Sequence, residues 1–239
     1  MTVWPAGYRR KDYAELDSTN EEARRLAEAG EHGPLWISAA QQTSGRGRRG
    51  RAWDMAEGNL AATLLLRPEA APVVTGQLSF AAALSAAEMV QHFAPAAAIT
   101  VKWPNDVLAE GRKIAGILLE GGTGWLAIGI GVNLAHHPEG TAFPATSLPQ
   151  LGIAPPSCDQ ALGLLAARFA HWYDAWMEKG FETLRAAWLK RASGLGAPIT
   201  ARLPNETRQG VFEGIDASGA LLLNEGTGVR AIAAGEVFF

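Results

Sequence analysis

The chain has little cysteine, and its charges nearly cancel. Cys158 is the only cysteine among the 239 residues, so an intrachain disulfide and a multi-cysteine metal site are both excluded. Lysine and arginine number 21 against 24 aspartates and glutamates, a net charge of -3, and this balance argues against a general affinity for nucleic acid or acidic membranes. Such sparse cysteine is typical of a reducing compartment, and we expect a cytoplasmic protein.

Long apolar runs are also missing. The N-terminal M-T-V-W-P-A-G-Y-R-R has no apolar stretch of signal-peptide length. No later run reaches the roughly 18 apolar residues that a membrane span needs. Internal repeats and low-complexity linkers are absent as well. A composition that is 48% hydrophobic and 19% charged therefore predicts a soluble globular protein with a substantial core.

The most unusual segment is the glycine-arginine loop, residues 42–53, which reads Q-T-S-G-R-G-R-R-G-R-A-W. Glycine disfavours both helices and packed strands, and it lets a backbone approach a ligand closely. Arginine offers bidentate donors to phosphate and carboxylate groups. The loop contains Gly45, Gly47 and Gly50 together with Arg46, Arg48, Arg49 and Arg51. We therefore predict a loop that handles anions.

Three other interpretations of this loop stay open at the level of the residues. The letters G-x-G-x-x-G match a dinucleotide-binding pattern, but that pattern needs a helix opening at Gly50, and the following R-A-W-D-M-A-E-G-N lacks an apolar repeat of period 3.6. An arginine-glycine patch for nucleic acid would need a wider basic surface. A solvated run of charges would explain the arginines but not the regular spacing of the glycines.

Apolar periodicity predicts structural elements on both sides of the loop. Ser18 followed by Glu21 fits a capping box at the start of a short helix, with Gly30 as its C-terminal stop. Strands are predicted over residues 35–42 and 59–67. A long alanine-rich helix is predicted over 75–93, a longer one over 159–179 and a shorter one over 181–191.

A second group of polar residues lies among apolar ones in V-K-W-P-N-D-V-L, residues 101–108, and in K-I-A-G-I-L-L-E, residues 113–120. The two runs predict a β-hairpin, with a bend at Pro104 on a sheet edge. Polar groups in such surroundings need a partner or a ligand. A purely structural ion pair of Lys102 with Asp106 is one reading and a ligand site is the other.

Farther along, W-L-A-I-G-I-G-V-N-L, residues 125–134, predicts a strand whose Gly129 and Gly131 allow close backbone approach. His136 and His137 lack an accompanying carboxylate cluster, so we assign them no metal role. From Pro198 onward the chain alternates apolar and polar residues between turns, which predicts several short strands.

These segments resemble the motifs of biotin protein ligases, also called holocarboxylase synthetases. The motifs are S-T-N at 18–20, Q-T-S-G-R-G-R-R-G-R at 42–51, K-W-P-N-D at 102–106, K-I-A-G-I-L-L-E at 113–120 and G-I-G-V-N-L at 129–134. The resemblance covers essentially the whole chain, including D-A-S-G-A-L near its end. Because S-T-N begins at residue 18, we expect the monofunctional type, without an N-terminal DNA-binding domain.

The resemblance implies an α/β (α+β) fold with two domains. Residues 1–192 would form a biotin- and ATP-binding catalytic domain with a mixed sheet like that of class II aminoacyl-tRNA synthetases. Residues 193–239 would form a small SH3-like β-barrel, and we expect the catalytic domain to stay folded without it.

The resemblance also implies a ligase that uses biotin, ATP and Mg²⁺ to make biotinyl-5'-AMP. The biotinyl group would then pass to a lysine of a biotin carboxyl carrier domain, as in acetyl-CoA carboxylase. We expect a monomer or homodimer with no nucleic-acid or membrane partner.

The same resemblance assigns roles to individual residues. Lys113 and Arg48 would be catalytic, with Lys113 neutralising charge on the α-phosphate, and Asp106 would hold the metal. The residues for biotin would be Ser18, Thr19, Asn20, Gln42, Gly45, Arg46 and Gly116. Those for ATP or the adenylate would be Arg48, Arg49, Arg51, Trp53, Lys102, Asn105, Asp106, Lys113 and Asn133.

Two rival functions remain. A lipoate- or octanoate-transferring enzyme of the same superfamily would share the sheet and a lysine, but it is not expected to carry the glycine-arginine loop. A nucleic-acid-binding module would use that loop directly.

Overall fold

A mixed sheet forms the N-terminal part of the protein. A computed structural model describes residues 3–239, and seven of the strands in that range make up this sheet. They are β1 (Arg9–Leu16), β2 (Leu35–Gln42), β3 (Leu60–Leu66), β4 (Ile99–Lys102), β5 (Asp106–Ala109), β6 (Arg112–Gly122) and β7 (Trp125–Val132). Their order is β1-β2-β3-β7-β6-β5-β4. Only β1 and β2 pair in parallel, so the predicted mixed sheet is confirmed.

Helices cover this sheet: α1 (Thr19–Glu28), α2 (Pro72–Thr75), α3 (Leu78–Phe93), α4 (Cys158–Lys179) and α5 (Phe181–Leu189). Alanines make α3 slim enough to lie between the sheet and α4. The stretch Val73–Phe93 is long and apolar enough to cross a membrane by length and composition, contrary to our expectation. Because 67% of its apolar window is buried inside the fold, we interpret it as a core helix.

Most predicted elements are confirmed, but two predictions were incomplete. Strand β1 was missed because its residues are mostly polar and it lies at an exposed sheet edge. The segment 101–108 is two strands rather than one. The chain leaves β4 at Lys102, turns, and returns antiparallel from Asp106. Proline cannot donate to a strand ladder, and Pro104 lies in the turn beside the edge strand β4, so the predicted bend at a sheet edge is confirmed.

The C-terminal region forms a second sheet, as the alternating pattern predicted. Within the described range it has five antiparallel strands in the order β11-β10-β9-β8-β12. These are β8 (Pro198–Arg202), β9 (Thr207–Ile215), β10 (Leu221–Asn224), β11 (Val229–Ile232) and β12 (Glu236–Phe238).

The two sheets are joined by a common apolar core. The Trp103 indole N–H, from the turn between β4 and β5, donates to the Gly219 carbonyl at 3.1 Å. Trp188 of α5 packs edge-on against Phe80 of α3 and Phe212 of β9, with ring centroids 5.4 and 6.5 Å away. One buried cluster contains side chains from both sheets. This packing positions β8 and β12 beside the K-W-P-N-D segment.

Candidate active site

A cavity of about 380 Å³ brings most of the predicted residues together. Its wall is built from the start of α1, the glycine-arginine loop, the turn between β4 and β5, strands β6 and β7, residues 138–145 and the second sheet. Strand β6 runs beneath the cavity from Lys113 to Leu118. A strand rises about 3.3 Å per residue, so the five steps from Lys113 to Leu118 span roughly 16 Å.

Three glycines form the floor of this cavity. A Cβ on Gly129 would overlap the Asn20 side-chain amide, and a Cβ on Gly131 would overlap the Trp53 indole. At Gly116 an added Cβ would meet Trp53 at 3.1 Å. The predicted close approach is therefore confirmed, because polar and aromatic side chains lie directly on the backbone of β6 and β7.

A hydrogen-bonding cluster occupies the part of the cavity near α1. Gln42 Oε1 accepts from the Thr19 backbone N–H at 2.8 Å and lies 3.1 Å from the Thr19 hydroxyl. The Thr63 hydroxyl donates to Asn20 Oδ1 at 2.7 Å, and the Asn20 amide donates to Glu120 at 2.8 Å. Thr63 and Glu120 escaped the sequence analysis. Because Thr63 is fully buried on β3, only its side-chain position reveals its role.

The predicted capping box at the start of α1 is wrong. Ser18 is the N-cap residue, but its side chain makes no capping hydrogen bond. Glu21 instead pairs with Arg24 and, at 2.8 Å, with Arg46. The Ser18 hydroxyl lies on the cavity wall, where it can address a ligand. Arg46 also lies 3.7 Å from Glu120, so the loop is tied to the hydrogen-bonding cluster.

A cationic cluster lies farther back along β6. Asp106 joins two ammonium groups, with Lys113 Nζ at 2.7 Å and Lys102 Nζ at 3.6 Å. Lys113 also lies 5.5 Å from the centre of a Trp53 ring. Burial lowers the pKa of Lys102, although the Asp106 carboxylate opposes that shift. The predicted ion pair of Lys102 with Asp106 is present, and Lys113 adds a second cation to the same carboxylate.

Arginines of the glycine-arginine loop reach this cluster and the second sheet. Arg48 donates to Asn105 Oδ1 at 3.1 Å and to the Gly235 carbonyl at 3.3 Å. Burial lowers the pKa of the Arg48 guanidinium. Arg51 forms an ion pair with Glu236 at 2.8 Å. The loop is therefore fastened at both the turn between β4 and β5 and the C-terminal strand.

Two predicted site residues lie off the cavity wall. Arg49 has left-handed backbone geometry at φ 57 and an exposed side chain, so the structure does not bring it to the cavity and its assignment to ATP stays a prediction. Gly45 lies behind the wall, where a Cβ would collide with the Trp53 carbonyl oxygen and approach the Gln42 amide at 3.0 Å. Its part is to let the loop pack tightly against these residues.

Asn133 carries a side-chain acceptor that none of the described residues satisfies. Its side-chain amide donates to the Thr146 carbonyl at 3.1 Å, and the residue is 2% exposed. Its Oδ1 has no hydrogen-bond partner among residues 3–239. A buried polar atom without a partner costs about 1–3 kcal/mol. Since Asn133 lines the cavity, a bound ligand can supply the missing donor.

Asp106, the carboxylate predicted to hold a metal, belongs to no metal-binding group of three or more ligands among residues 3–239. No group of three or more His, Cys, Asp or Glu residues in the described part of the chain could hold a metal ion. Asp106 already faces two ammonium groups. Mg²⁺ commonly binds through one or two carboxylates plus substrate phosphates. These residues therefore fit Mg²⁺ that arrives with a nucleotide, rather than a metal held by the protein alone.

Strands of the second sheet add residues that the motifs did not indicate. Arg202 of β8 and Glu236 and Phe238 of β12 line the cavity, as does Phe143 from the segment after β7. The ring centres of Phe143 and Phe238 lie 4.4 and 5.7 Å from Lys102 Nζ. No local pattern marks these positions, because they approach the site only through the packing of the two sheets.

Family models and known proteins match most of the chain. The biotin/lipoate A/B protein ligase family matches residues 14–134, and the biotin protein ligase C terminal domain matches residues 194–239. A biotin--[acetyl-CoA-carboxylase] ligase of Paracoccus denitrificans is 45% identical over 95% of this chain and 98% of its own. A ligase with the same name from Mycobacterium tuberculosis is 34% identical over 97% and 90%.

Solved structures show the same similarity. The structure of a biotin protein ligase from Aquifex aeolicus, in complex with biotin and ATP, superposes with a TM-score of 0.85 at 28% identity. The match covers 96% of this chain and 97% of the other.

Proposed function

Because the chain belongs to the biotin/lipoate A/B protein ligase family, we propose that it attaches biotin to a lysine of a biotin carboxyl carrier domain, using ATP and forming biotinyl-5'-AMP. One observation carries this proposal. A single cavity holds a hydrogen-bonding cluster near one part of β6 and a cationic cluster farther along the same strand. This arrangement suits a substrate with a polar ring at one end and a carboxylate at the other.

The hydrogen-bonding cluster favours biotin over lipoate. The ureido ring of biotin offers two N–H donors and one carbonyl acceptor, and the cluster provides partners for both from Ser18, Asn20, Gln42 and Arg46. The dithiolane ring of lipoate has no strong donor or acceptor. Binding it would leave buried polar groups unpaired, which costs about 1–3 kcal/mol for each.

The cationic cluster suits the first reaction. A carboxylate oxygen of biotin attacks the α-phosphorus of ATP, and the bond to pyrophosphate breaks. Carboxylate and triphosphate repel each other, so Arg48 and Arg51 would bring them together. Lys113, oriented by Asp106 at 2.7 Å, would stabilise the negative charge that grows on the α-phosphate. Mg²⁺ would arrive as part of the MgATP substrate.

The second reaction needs no nucleophile from this chain. The neutral ε-amine of the carrier lysine attacks the acyl carbon of biotinyl-5'-AMP, AMP leaves with the electrons of the broken C–O bond, and the nitrogen loses a proton to solvent as the amide forms. The intermediate is a mixed anhydride, which water would hydrolyse. Trp53, lying over the glycine floor, and the glycine-arginine loop would shield it.

The proposed function is tested by mass spectrometry. The purified protein is incubated with MgATP, a carrier domain and either biotin, lipoate or octanoate. We expect the carrier to gain one biotinyl group from biotin and nothing from the other two acids. A carrier whose target lysine is replaced by arginine serves as the control. Transfer of lipoate or octanoate in place of biotin would reject the proposal in favour of the rival enzyme.

Arg48→Gly tests the retaining role of the loop. The change removes the contacts with Asn105 and Gly235 that fasten the loop over the cavity. We expect biotinyl-5'-AMP to escape, so that lysines of an added unrelated protein become biotinylated. Arg49→Gly is the matched control, because Arg49 is exposed and off the cavity wall. Equal bystander labelling by both variants would contradict this assignment.

Thr63→Val tests the hydrogen-bonding cluster. The two side chains have nearly the same shape, but valine leaves Asn20 Oδ1 without the donor that Thr63 supplies at 2.7 Å. Such a loss costs about 1–3 kcal/mol, so we expect biotin to bind roughly tenfold more weakly. Isothermal titration calorimetry gives the Kd. Thr63→Ser should restore binding, and the rate at saturating biotin should stay unchanged. A fall in that rate at constant Kd would argue against a positioning role.

The remaining parts of the proposal rest on family membership and on the fold. We place the domain division near residue 193, at the start of the region matched by the C-terminal domain family. The carrier domain of a carboxylase is the proposed protein partner, in the cytoplasm.

A further inference from the structure

Arg202 lies on the cavity wall without a polar side-chain partner among residues 3–239. Arg46, Arg48 and Arg51 also line the cavity, and each of them has a hydrogen bond or an ion pair with the protein. The Arg202 guanidinium makes no hydrogen bond or ion pair with the described residues, and it lies 4.6 Å from the centre of the Phe238 ring. A cation placed on a cavity wall without an anion is available to a ligand.

The register of the second sheet shows why this is unusual. Arg202 of β8 lies directly opposite Glu236 of β12. Opposite charges on facing positions of antiparallel strands normally pair. Here Glu236 instead pairs with Arg51 of the glycine-arginine loop, at 2.8 Å. Arg202 is held on Phe238 by a cation–π contact, which orients its charge without neutralising it.

Arg202 also lies on the nucleotide side of the cavity. Phe238 contacts Lys102 as well, at 5.7 Å from its ring centre, so both cations share one aromatic side chain. Lys102 belongs to the cationic cluster around Asp106. The hydrogen-bonding cluster, by contrast, lies near α1 and the far part of β6. A ligand group that meets Arg202 is therefore an anion next to the reacting carboxylate and α-phosphate.

We propose that Arg202, held on Phe238, binds the β- and γ-phosphates of ATP and the pyrophosphate that leaves. This inference rests on the proposed function. In this arrangement, the carboxylate and the α-phosphate are bound by Lys113, Arg48 and Arg51. Arg202 supplies the positive charge that the β- and γ-phosphates need. Its guanidinium fork can donate two parallel hydrogen bonds to phosphate oxygens. The second sheet thereby takes part in adenylation as well as in packing.

The test separates adenylation from transfer. Arg202→Gln is compared with the wild type for pyrophosphate release at varied ATP, and for biotin transfer to a carrier domain from supplied biotinyl-5'-AMP. We expect kcat/KM for ATP to fall about tenfold or more, as for the loss of a charged hydrogen bond. Transfer from supplied adenylate should stay unchanged. Inhibition by added pyrophosphate should weaken by a similar factor, a readout that a merely structural defect would not produce selectively.

Arg208→Gln is the matched control. Arg208 belongs to the same sheet but pairs with Glu206 and Glu225 away from the cavity, so its variant should retain wild-type ATP kinetics. Normal ATP kinetics in Arg202→Gln would overturn the inference. A defect confined to transfer would also overturn the inference, because it would show that Arg202 contacts the carrier domain rather than ATP. A wild-type protein that forms no biotinyl-5'-AMP would reject the proposed function itself, a result distinct from both.

Discussion

Replacing Lys113 with alanine is expected to slow formation of biotinyl-5'-AMP by about 10²–10³-fold, as for the loss of one preorganised charge-stabilising donor. The ammonium group of Lys113 is held by Asp106 at 2.7 Å and therefore keeps its place before the reaction begins. The charge that it opposes grows mainly in the transition state. The Kd for biotin should accordingly change by less than about threefold.

The fold of this variant should survive. Asp106 retains Lys102 at 3.6 Å, so the substitution does not leave a buried carboxylate without a counter-charge. Calorimetry with biotin alone gives the Kd, and single-turnover measurement of pyrophosphate gives the rate. Lys179→Ala, at an exposed position near the end of α4, is the control. A loss of biotin affinity as large as the loss of rate would contradict the assigned role.

Removing residues 193–239 is expected to unfold most of the protein, although the sequence alone favoured a catalytic domain that stays folded. The deletion would expose Trp103, Trp188 and Phe80, which pack against the second sheet. Exposing a large apolar side chain costs about 1.5–3 kcal/mol. Three such losses are a large part of the whole free energy of unfolding of a protein, which is about 5–15 kcal/mol. The truncated chain would also lose Gly235, a partner of Arg48, and Glu236, the partner of Arg51.

Circular dichroism during heating measures this effect, with biotin binding as a second readout. The full-length Glu236→Ala variant is the control, because it breaks the ion pair with Arg51 but keeps the apolar core. It should retain a cooperative transition close to that of the wild type. A truncated protein with an unchanged Tm and normal biotin binding would show instead that the second sheet is an independent module.

Elements whose causes are local could be predicted from the sequence. Alternating or continuous apolar runs placed β2, β3 and β7, and the alanine-rich stretch placed α3. Glycine-rich composition marked the glycine-arginine loop and the close approach at Gly129 and Gly131. The motif pattern indicated the family and most residues of the cavity wall, because these residues lie in short contiguous segments.

Which side chains meet in the cavity depends on how the elements pack, and local sequence does not reveal it. Arg49 and Arg48 are neighbours of the same type, but the left-handed backbone at Arg49 accompanies an exposed side chain while Arg48 lies on the cavity wall. Glu21 was free to cap α1 and pairs with arginines instead.

The same holds for residues that no motif marked. Thr63 reaches the hydrogen-bonding cluster only because β3 lies behind α1, and Arg202 and Phe238 reach the cavity only because an apolar core docks the second sheet beside Lys102. Contacts between residues far apart in sequence depend on how whole elements pack. That packing is the sum of many weak interactions, which no short segment of sequence records.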